Sequence, residues 1–473
     1  MKAFSLNSIV RNLNCNVIGL NSPYFGDYQF TGVSTDTRTL EPRQLFIALK
    51  GQNYDGHNYL HVAKQRGALA AVVQRNRQAT DVQVGRDFLL IEVDDTLNAY
   101  GRIAEAHRAK IDGLRLVAIT GSSGKTSTKD FISSIAEQVQ PAKHTLGNYN
   151  NRIGVPKTLL ELCGADQVAI IEMGMNTPGE IAQLAKMAHP QIAIITNIGH
   201  AHIEYLGSIN SIAWEKSRLF ATLPPEGVAI TSSDEPFVNT LAAQTNATIL
   251  TAGLINSGDV RAESIKQNVD GTRFDLIAFD REHYTVYLPS LGVHMVRNAL
   301  LGFLAGHALG ISPDICVQGL EQVKMSGSRM EMKSVAGICF ISDCYNANPE
   351  SSTAAIEALS AIPICKDGRR IAVFGHLGEL GSHSTWAYKT IAELAVRCRL
   401  DLLVTVGESA KPISDFAIIQ GHIEVAHFID HDTAADFLAS NCSTEDLILL
   451  KGSRSAHMEI ILTKVHDIIV ALT

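Results

Sequence analysis

The stretch Thr120–Thr126, TGSSGKT, has the residue types of a phosphate-binding loop: two glycines, a lysine and several hydroxyl side chains. The common loop reads G-x-x-x-x-G-K-[ST], so its first glycine stands five positions before the second. Five positions before Gly124 stands Ile119, and the other glycine, Gly121, is only three positions back. The spacing is therefore that of a shorter loop or of a chance turn beside a lysine.

The segments on either side of the loop are those that a nucleotide site needs. Residues 116–119 are apolar and predict a buried strand, and residues 127–139 predict a helix. A turn between a strand and a helix points backbone N–H groups and the helix dipole at an anion. Lys125 would reach the outer phosphates, and the Thr126 hydroxyl would bind Mg²⁺. We expect nucleotide contacts from Gly121, Ser122, Ser123, Gly124, Lys125, Thr126 and Ser127.

Two further strand ends carry groups that could complete a metal site. Glu172 ends the apolar run VAIIE, and Mg²⁺ prefers oxygen ligands such as carboxylates. His202 and Glu204 follow the next predicted strand. Histidine is a poor Mg²⁺ ligand. A zinc site at these residues is a weak alternative to a magnesium site. Glu172 could instead face solvent at a strand end, and His202 could be a structural residue.

Polar clusters also follow strands in the last third of the chain. In SDCYNANP (342–349), Asn346 and Asn348 are turn residues and Pro349 can begin a helix, so a plain strand–helix turn competes with a functional role. In KGSRSAHME (451–459), cations and hydroxyls together predict an anion or carboxylate site.

These clusters require parallel strands to position them. Apolar runs rich in β-branched residues alternate with helix-like segments along the chain, which is the pattern of α/β layers. Open parallel sheets bind ligands at the carboxyl ends of their strands, where the polar clusters fall. Two successive blocks of this kind predict a cleft between two α/β domains. Residues 250–290 alternate differently around a DGT turn and predict an antiparallel extension.

Composition excludes several classes of protein. The 473 residues are 46% hydrophobic and 19% charged, as in ordinary globular proteins, and the length suits about three domains. A net charge of −8 with no basic block argues against a nucleic-acid partner. No apolar run approaches the roughly 18 residues of a membrane helix, so we expect no membrane insertion. Eight cysteines without a C-x-x-C pair predict reduced thiols and a cytoplasmic protein.

Taken together, the motifs resemble those of the Mur ligases, the ATP-dependent amide-forming enzymes of bacterial peptidoglycan synthesis. The short loop is the form that this family and the related folylpolyglutamate synthases use. Residues 32–68 resemble the nucleotide-sugar-binding domain of the family. Further matches occur in family order over essentially the whole chain: GNYNNRIGVPKTLL (147–160), EMGMNTPGEI (172–181), TNIGHAHIEYLGS (196–208), SRMEMK (328–333), DCYNANPES (343–351) and KGSRSAHME (451–459).

The resemblance implies an α/β protein of three domains. Residues 1–110 would form a small N-terminal α/β domain that binds a UDP-sugar substrate. Residues 111–322 would form a central P-loop ATPase domain with a parallel sheet. Residues 323–473 would form a C-terminal Rossmann-like domain that closes over ATP and binds the incoming dipeptide. YNANP and GNYNN look most like the branch that joins D-alanyl-D-alanine to UDP-N-acetylmuramoyl-tripeptide through an acyl phosphate and a tetrahedral intermediate, and we expect a monomer.

The resemblance also implies roles for individual residues. The catalytic residues would be Lys125, His202, Lys216 and Arg329, and two Mg²⁺ would be held by Thr126, Glu172, His202 and Lys216. Lys216 aligns with the family lysine that becomes carbamylated, which turns a cation into an oxygen ligand; without the resemblance it would be a solvated helix residue. Further ATP contacts are implied for Asn298, Arg329, Asp343, Tyr345, Asn346 and Asn348. Contacts with the UDP-sugar are implied for Ser34, Asp36, Arg38, Asn148 and Asn151, and contacts with the amino substrate for Lys451 and Ser453.

Three positions depart from the pattern of this branch. His376 stands in GHLGELG where an acid is usual, Arg218 stands where a glutamate is usual, and His457 stands where arginine is common. None of them is assigned to the metal–phosphate core, but His376 could change how the third domain engages its substrate.

Two other functions compete with this interpretation. The chain could be the Mur ligase that adds the third amino acid, but that branch carries a DNPR-type segment that does not occur here. It could also be a P-loop kinase or a nucleotide-regulated binding protein without ligase activity. A kinase would not need the polar strand ends of the two downstream blocks.

Overall fold

Strands and helices alternate along the chain, as the sequence predicts. The computed structural model describes residues 4–19, 28–77 and 83–472. Up to residue 110 the elements are β1 (Phe4–Ser5), α1 (Leu6–Asn12), β2 (Asn16–Ile18), β3 (Gln29–Phe30), β4 (Val33–Ser34), β5 (Leu45–Ile47), α2 (Leu60–Gln65), β6 (Ala70–Gln74), β7 (Leu89–Val93) and α3 (Thr96–Arg108).

The middle of the chain contains the longest set of elements. They are β8 (Arg115–Thr120), α4 (Lys125–Glu137), β9 (Ala142–His144), α5 (Gly154–Glu161), β10 (Val168–Glu172), α6 (Glu180–Ala188), β11 (Ile192–Ile195), α7 (Ile203–Leu206), α8 (Ile209–Ser217), β12 (Val228–Ser232), α9 (Val238–Ala242), β13 (Thr248–Gly253), β14 (Val260–Asn268), β15 (Gly271–Ala278), β16 (Glu282–Leu288), α10 (Val293–Ala308) and α11 (Pro313–Glu321).

The last third of the chain repeats the alternation. Its elements are β17 (Glu331–Val335), β18 (Ile338–Asp343), α12 (Pro349–Ala361), β19 (Arg370–Phe374), α13 (Ser384–Arg397), β20 (Leu402–Val406), α14 (Lys411–Gln420), β21 (Glu424–Phe428), α15 (His431–Asn441), β22 (Leu447–Lys451) and α16 (Glu459–Leu472). In the part of the chain that the structure describes, no helix has both the length and the apolar composition needed to cross a membrane.

The chain divides into two compact units. The first comprises Met1–Leu116, Pro141–Met173 and Gln183–His189, and the second comprises Val117–Gln140, Gly174–Ala182 and Pro190–Thr473. The first unit contains a sheet with the strand order β2-β7-β6-β5-β4, in which only β2 is antiparallel to its neighbour. Phe46 and Phe88 are almost fully buried in the core of this sheet. The same unit contains the parallel pair β9–β10.

The second unit contains two sheets. In one, β11 lies between β8 and β12, and the run from β8 to β14 is parallel. Strands β14, β15 and β16 then continue antiparallel, which confirms the predicted antiparallel extension. The apolar side chains of β8 and β11 have no exposed surface, because helices cover both faces of a parallel sheet.

The other sheet of this unit has the order β17-β18-β22-β19-β20-β21, and it is parallel except for β17. Strand β22, which comes last in the chain, pairs with both β18 and β19. Two strand ends that are far apart in sequence, Asp343 and Lys451, are therefore direct neighbours. The α/β class predicted from the sequence is confirmed.

Candidate functional site

The phosphate-binding loop lies between β8 and α4, as predicted. The helix begins at Lys125, two residues before the predicted start, because Gly124 adopts a left-handed conformation (φ 78°, ψ −8°) and caps it. Gly121 also has a positive φ, 152°. A Cβ atom on Gly124 would lie 2.5 Å from Oδ1 of Asn298, which is buried on α10. The predicted adenine-side asparagine therefore packs directly against the loop.

The segment that follows β11 holds the loop in place. The backbone N–H of Ser123 donates to Oδ1 of Asn197 at 2.9 Å, and the hydroxyl of Ser122 donates to the carbonyl of Gly199 at 2.9 Å. Thr196 donates from its hydroxyl to the carbonyl of Ser123 at 2.5 Å. Sequence reasoning identified TNIGH only as a polar strand end, and it missed that Thr196 and Asn197 fix the loop.

Two lysines belong to the same region, and only one of them reaches the loop by a hydrogen bond. The Nζ of Lys125 donates to the carbonyl of Gly121 at 2.8 Å. Lys216, on α8, is 1% exposed. Burial lowers the pKa of its ammonium well below the usual range, and the charge of Lys125 lowers the pKa further. The interpretation of Lys216 as a solvated helix residue is wrong, because the face of α8 that bears it packs into the domain. The lowered pKa shifts the equilibrium of the side chain toward the neutral amine.

Arg329 reaches the loop from the start of the C-terminal part of the chain, residues 323–473, which is called the third block below. Its Nη2 donates to Oγ1 of Thr126 at 3.2 Å, and its guanidinium lies 3.8 Å above the ring centre of Tyr345. Ser326 supports this position, since its backbone N–H and its hydroxyl both donate to Oδ2 of Asp130, at 2.9 and 2.8 Å. The structure thus brings together three predicted site residues, Thr126, Arg329 and Tyr345.

The predicted turn residue Asn348 has two functions. Its side chain accepts from the N–H of Ser351 at 2.8 Å, which forms a capping box at the start of α12. Its Nδ2 also donates to the carbonyl of Ser122 at 3.2 Å. Pro349 begins the helix, as predicted. The first turn of α12 is therefore attached to the phosphate-binding loop.

Two histidines after β11 pair with acids of the third block. His202 Nδ1 lies 2.6 Å from Oε2 of Glu379, and His200 Nδ1 lies 2.5 Å from Oε1 of Glu350. The His200 ring also stacks on Trp386, with ring centres 4.4 Å apart. His202 was predicted as a site residue, but neither acid was, because no local spacing connects residues this far apart.

Lys451 is buried and pairs with another predicted residue. Its Nζ lies 2.5 Å from Oδ2 of Asp343 and donates to the carbonyl of Asn346 at 3.2 Å. The neighbouring Ser453 is also buried, and its backbone N–H donates to the carbonyl of His376 at 2.9 Å. The charge of Lys451 is thus already balanced by the carboxylate of Asp343. The anion site predicted from the KGSRS segment did not take this carboxylate into account.

The first unit contains the remaining predicted residues. Glu172 is 3% exposed, and it accepts a hydrogen bond from Nδ2 of Asn150 at 2.7 Å. The alternative of an acid facing solvent is therefore wrong. Asn151 accepts from the backbone N–H groups of Ile153 and Gly154, at 3.0 and 2.9 Å, and so fixes the start of α5. Asn148 is exposed in the same loop.

Ser34, Asp36 and Arg38 form one turn after β4. The Ser34 hydroxyl donates to the carbonyl of Asp36 at 2.9 Å, and Arg38 Nη2 lies 2.6 Å from Oδ2 of Asp36. The hydrogen bond from Arg38 lowers the pKa of the Asp36 carboxyl. Arg38 is largely exposed and can therefore meet an anionic ligand.

Two of the residues that the sequence assigns to a metal site carry oxygen donors, which Mg²⁺ prefers. Within residues 4–19, 28–77 and 83–472, no three His, Cys, Asp or Glu side chains form a cluster that could hold a metal ion. A nucleotide-bound Mg²⁺ takes only one or two protein oxygens beside phosphates and water. The Thr126 hydroxyl beside the loop and the buried Glu172 carboxylate are oxygen donors of that kind.

Comparison with known proteins gives the class to which this site belongs. Three family models match the chain: "Mur ligase family, catalytic domain" at residues 29–108, "Mur ligase middle domain" at 119–306, and "Mur ligase, glutamate ligase domain" at 328–454. The chain belongs to the Mur ligase family. The resemblance found in the motifs is thereby confirmed, as is the three-part α/β architecture.

Individual relatives narrow the likeness to one branch. The UDP-N-acetylmuramoyl-tripeptide–D-alanyl-D-alanine ligase of Bacillus subtilis is 34% identical over 95% of this chain and 96% of its own length. The Escherichia coli protein of the same name is also 34% identical, over 92% of this chain and 93% of its own. Among solved structures, MurF from Acinetobacter baumannii superposes with a TM-score of 0.89 at 30% identity and 99% coverage of both chains. MurF from Thermotoga maritima in complex with ADP superposes with a TM-score of 0.84 at 25% identity, over 93% of this chain and 98% of that one.

Proposed function

We propose that the protein joins D-alanyl-D-alanine to the free carboxylate of UDP-N-acetylmuramoyl-tripeptide and converts ATP to ADP and phosphate. One observation carries this proposal: a phosphate-binding loop, with Arg329 and Asn348 attached to it, occurs in a chain that is similar from end to end to ligases of that name. The product is UDP-N-acetylmuramoyl-pentapeptide, and the reaction belongs to peptidoglycan biosynthesis.

The chemistry needs an activated carboxylate, since amide formation from a carboxylate in water is uphill. A carboxylate oxygen of the tripeptide attacks the γ-phosphorus of ATP, and the bond to the β–γ bridging oxygen breaks to release ADP. The amine nitrogen of D-alanyl-D-alanine then attacks the carbonyl carbon of the acyl phosphate. The tetrahedral intermediate collapses with loss of phosphate, and one proton is released overall. No covalent bond to the protein is needed.

The protein neutralises and orients the phosphates. The N–H groups of the loop and the start of α4 face the β- and γ-phosphates. Lys125 exchanges its hydrogen bond to the Gly121 carbonyl for a phosphate oxygen, and Arg329 is held beside Thr126 for the same purpose. Preorganised donors of this kind stabilise the charge that develops during phosphoryl transfer without further reorganisation. Asn298, packed on Gly124, is placed for the adenine side.

Thr126, Glu172, His202 and Lys216 are the residues that would hold two Mg²⁺. The Thr126 hydroxyl, the Glu172 carboxylate and a carbamylated Lys216 would supply oxygen ligands, which Mg²⁺ prefers, and His202 would supply a nitrogen. When bound, the ions would shield the phosphate charge from the attacking carboxylate. The state of Lys216 supports the modification, because a neutral amine is the form that reacts with CO₂. The Nζ lone pair attacks the carbon of CO₂, an N–C bond forms, and one N–H proton leaves. The buried amine becomes an anionic carbamate, whose charge is opposite to that of Lys125.

The substrates are assigned to the three parts of the chain. In the N-terminal part (1–110), the exposed turn with Ser34, Asp36 and Arg38 is proposed to bind the UDP-sugar, together with Asn148 and Asn151. The central part (111–322) would bind ATP. The C-terminal part (323–473) would close over ATP through Asp343, Tyr345, Asn346 and Asn348, and it would bind the dipeptide near Lys451 and Ser453.

We also propose a cytoplasmic location and a monomeric state. All eight cysteines are free thiols, as expected in a reducing compartment. The monomer stays a prediction, which size-exclusion chromatography with light scattering checks.

An acceptor-dependent assay tests the function. ADP release should require both UDP-N-acetylmuramoyl-tripeptide and D-alanyl-D-alanine, and Lys125→Ala should abolish it. Release of ADP with either substrate alone, or an active Lys125→Ala variant, contradicts the mechanism.

A second assay tests the alternative function, the ligase that adds the third residue. It replaces the dipeptide by single amino acids and supplies UDP-N-acetylmuramoyl-dipeptide as the other substrate. Absence of ATP binding in calorimetry would exclude both ligases.

A further inference from the structure

A short segment of the third block lies against the residues that follow β11. Glu379 Oε2 lies 2.6 Å from His202 Nδ1. The backbone N–H of Glu204 also donates to the Glu379 carbonyl at 3.3 Å. At Gly381, an added Cβ would lie 3.1 Å from Cγ of Glu204. The contact is therefore made by backbone and side chains together, which leaves little freedom in where the Glu379 carboxylate points.

Both partners of the pair adopt an unusual backbone conformation. His202 has φ 64° and Glu379 has φ 60°, in the left-handed region that residues other than glycine seldom occupy. Such conformations cost free energy, and they persist where the surroundings fix them, often at functional sites. Two of them face each other here, with Oε2 of Glu379 2.6 Å from Nδ1 of His202.

The charge of the pair lies close to the phosphate-binding loop. The close contact with His202 lowers the pKa of the Glu379 carboxyl, and the charge of Lys125 lowers it further. Glu379 therefore lies within the field of the lysine that is proposed to contact the γ-phosphate. An ionised carboxylate accepts the Nδ1–H of an imidazole, which leaves the lone pair of the ring on Nε2.

We propose that Glu379 is a positioning residue that fixes the tautomer and orientation of His202. This inference rests on the proposed function of His202 at the reaction centre. A carboxylate on the far ring nitrogen makes an imidazole a stronger base or ligand at its other nitrogen. Because Glu379 belongs to the third block and His202 to the central one, the imidazole is set correctly only when the third block is docked.

Docking itself does not depend on Glu379. The pair His200–Glu350 and the stacking of His200 on Trp386 join the same two parts of the chain. The hydrogen bond from Asn348 to the loop does so as well. Removing the charge of Glu379 should therefore change the tautomer and orientation of the His202 ring while the two parts of the chain stay in contact. A residue with a purely structural role would instead disturb that contact when it is replaced.

The test compares Glu379→Gln with Glu393→Gln, a substitution of an exposed acid on α13 in the same domain. The chain has two tryptophans, so Trp214→Phe leaves Trp386 as the only reporter of docking. In this background Trp386 emission should be the same with and without Glu379→Gln. The ¹⁵N chemical shifts of the His202 ring can be identified because they disappear in His202→Gln. In Glu379→Gln they should move away from the values of a ring that is protonated only on Nδ1. The kcat should fall by about 10- to 100-fold, as is typical for lost carboxylate partners of site histidines.

The other results separate the possible explanations. Under this proposal the KM for D-alanyl-D-alanine changes less than kcat, Glu379→Asp recovers part of the activity, and Glu393→Gln matches the wild type. An unchanged His202 tautomer in Glu379→Gln overturns the proposal, and so does a changed Trp386 emission that accompanies the loss of activity. If the wild type releases no ADP with both substrates, the proposed function fails, and the NMR comparison still decides whether Glu379 sets the state of His202.

Discussion

The left-handed glycine at the start of α4 leads to a quantitative prediction for Gly124→Ala. An L-residue in this conformation costs about 1–2 kcal/mol. The new Cβ would also lie 2.5 Å from Oδ1 of Asn298, which is buried and cannot move away freely. Overpacking of this kind costs about 1–3 kcal/mol. We therefore expect Gly124→Ala to lower the free energy of unfolding by about 2–5 kcal/mol in total.

Gly310 offers a matched control in the same unit. Its φ is 81° against 78° for Gly124, and an added Cβ would meet no atom within 4 Å. Gly310→Ala should therefore lose only the conformational part, about 1–2 kcal/mol. Urea unfolding followed by circular dichroism measures both losses. Combining Gly124→Ala with Asn298→Ala removes the overlap, so the double variant should recover about 1–3 kcal/mol.

Nucleotide binding provides the second measurement of the same variants. The overlap pushes the loop backbone away from Asn298, and the N–H groups that would bind phosphate move with it. Calorimetric titration with MgADP should show at least about tenfold weaker binding for Gly124→Ala, which corresponds to roughly 1.4 kcal/mol. Gly310→Ala should bind like the wild type. If the two glycine variants lose equal stability and bind MgADP equally well, the close packing of Asn298 on the loop has no energetic consequence and the reasoning is wrong.

Three further predictions concern the third block and α10. Asn348→Ala should cost about 1–2 kcal/mol in urea unfolding, because it removes the cap of α12, and it also removes the hydrogen bond to Ser122. Asp343→Asn should cost about 3–5 kcal/mol in thermal unfolding, because the buried Lys451 loses its opposing charge. Burial lowers the pKa of His294 from 6.5 to about 4. Between these values the unfolded chain binds a proton that the folded chain does not, so stability should fall as the pH falls, by up to about 1.4 kcal/mol per pH unit; His294→Gln should flatten that slope.

Each of these predictions has a control within the chain. Asn348→Asp keeps the cap acceptor and loses only the donor to the loop, so a loss as large as that of the alanine variant would contradict the role of the cap. Breaking the exposed pair Lys464–Asp432 with Asp432→Asn should leave thermal unfolding almost unchanged, and an equally small effect of Asp343→Asn would contradict the burial argument. His283→Gln, at an exposed position on β16, should keep the wild-type pH slope.

The sequence predicted the features that depend on neighbouring residues. Apolar runs gave the buried strands, and the loop between β8 and α4 could be recognised because a strand, a turn and a helix occur in order within a few residues. Pro349 gave the start of α12 for the same reason, since a proline at the first turn and an asparagine before it act locally. The helix start at Lys125 was placed two residues late, because it depends on a backbone conformation at Gly124 that composition does not reveal.

The features that the sequence did not predict depend on tertiary packing. Lys216 resembles any lysine on a helix until α8 packs into the domain and excludes water from it. The partners of His202 and Lys451, which are Glu379 and Asp343, lie more than a hundred residues away in the chain, so no spacing in the sequence indicates them. The resemblance to a known family identified Lys216 and His202 as site residues, but it did not indicate Glu379 or the residues Thr196 and Asn197 that fix the loop.

The position of β22 in the C-terminal sheet has a consequence for synthesis of the chain. Of the strands in this sheet, β22 is synthesised last, yet it lies between β18 and β19, which precede it in the chain. Until it inserts, β18 and β19 present unpaired edges, which are prone to aggregation. The same strand ends in Lys451, the partner of Asp343. Insertion of β22 therefore also assembles the ion pair between Lys451 and Asp343, and a chain that terminates before β22 lacks both the strand and the pair.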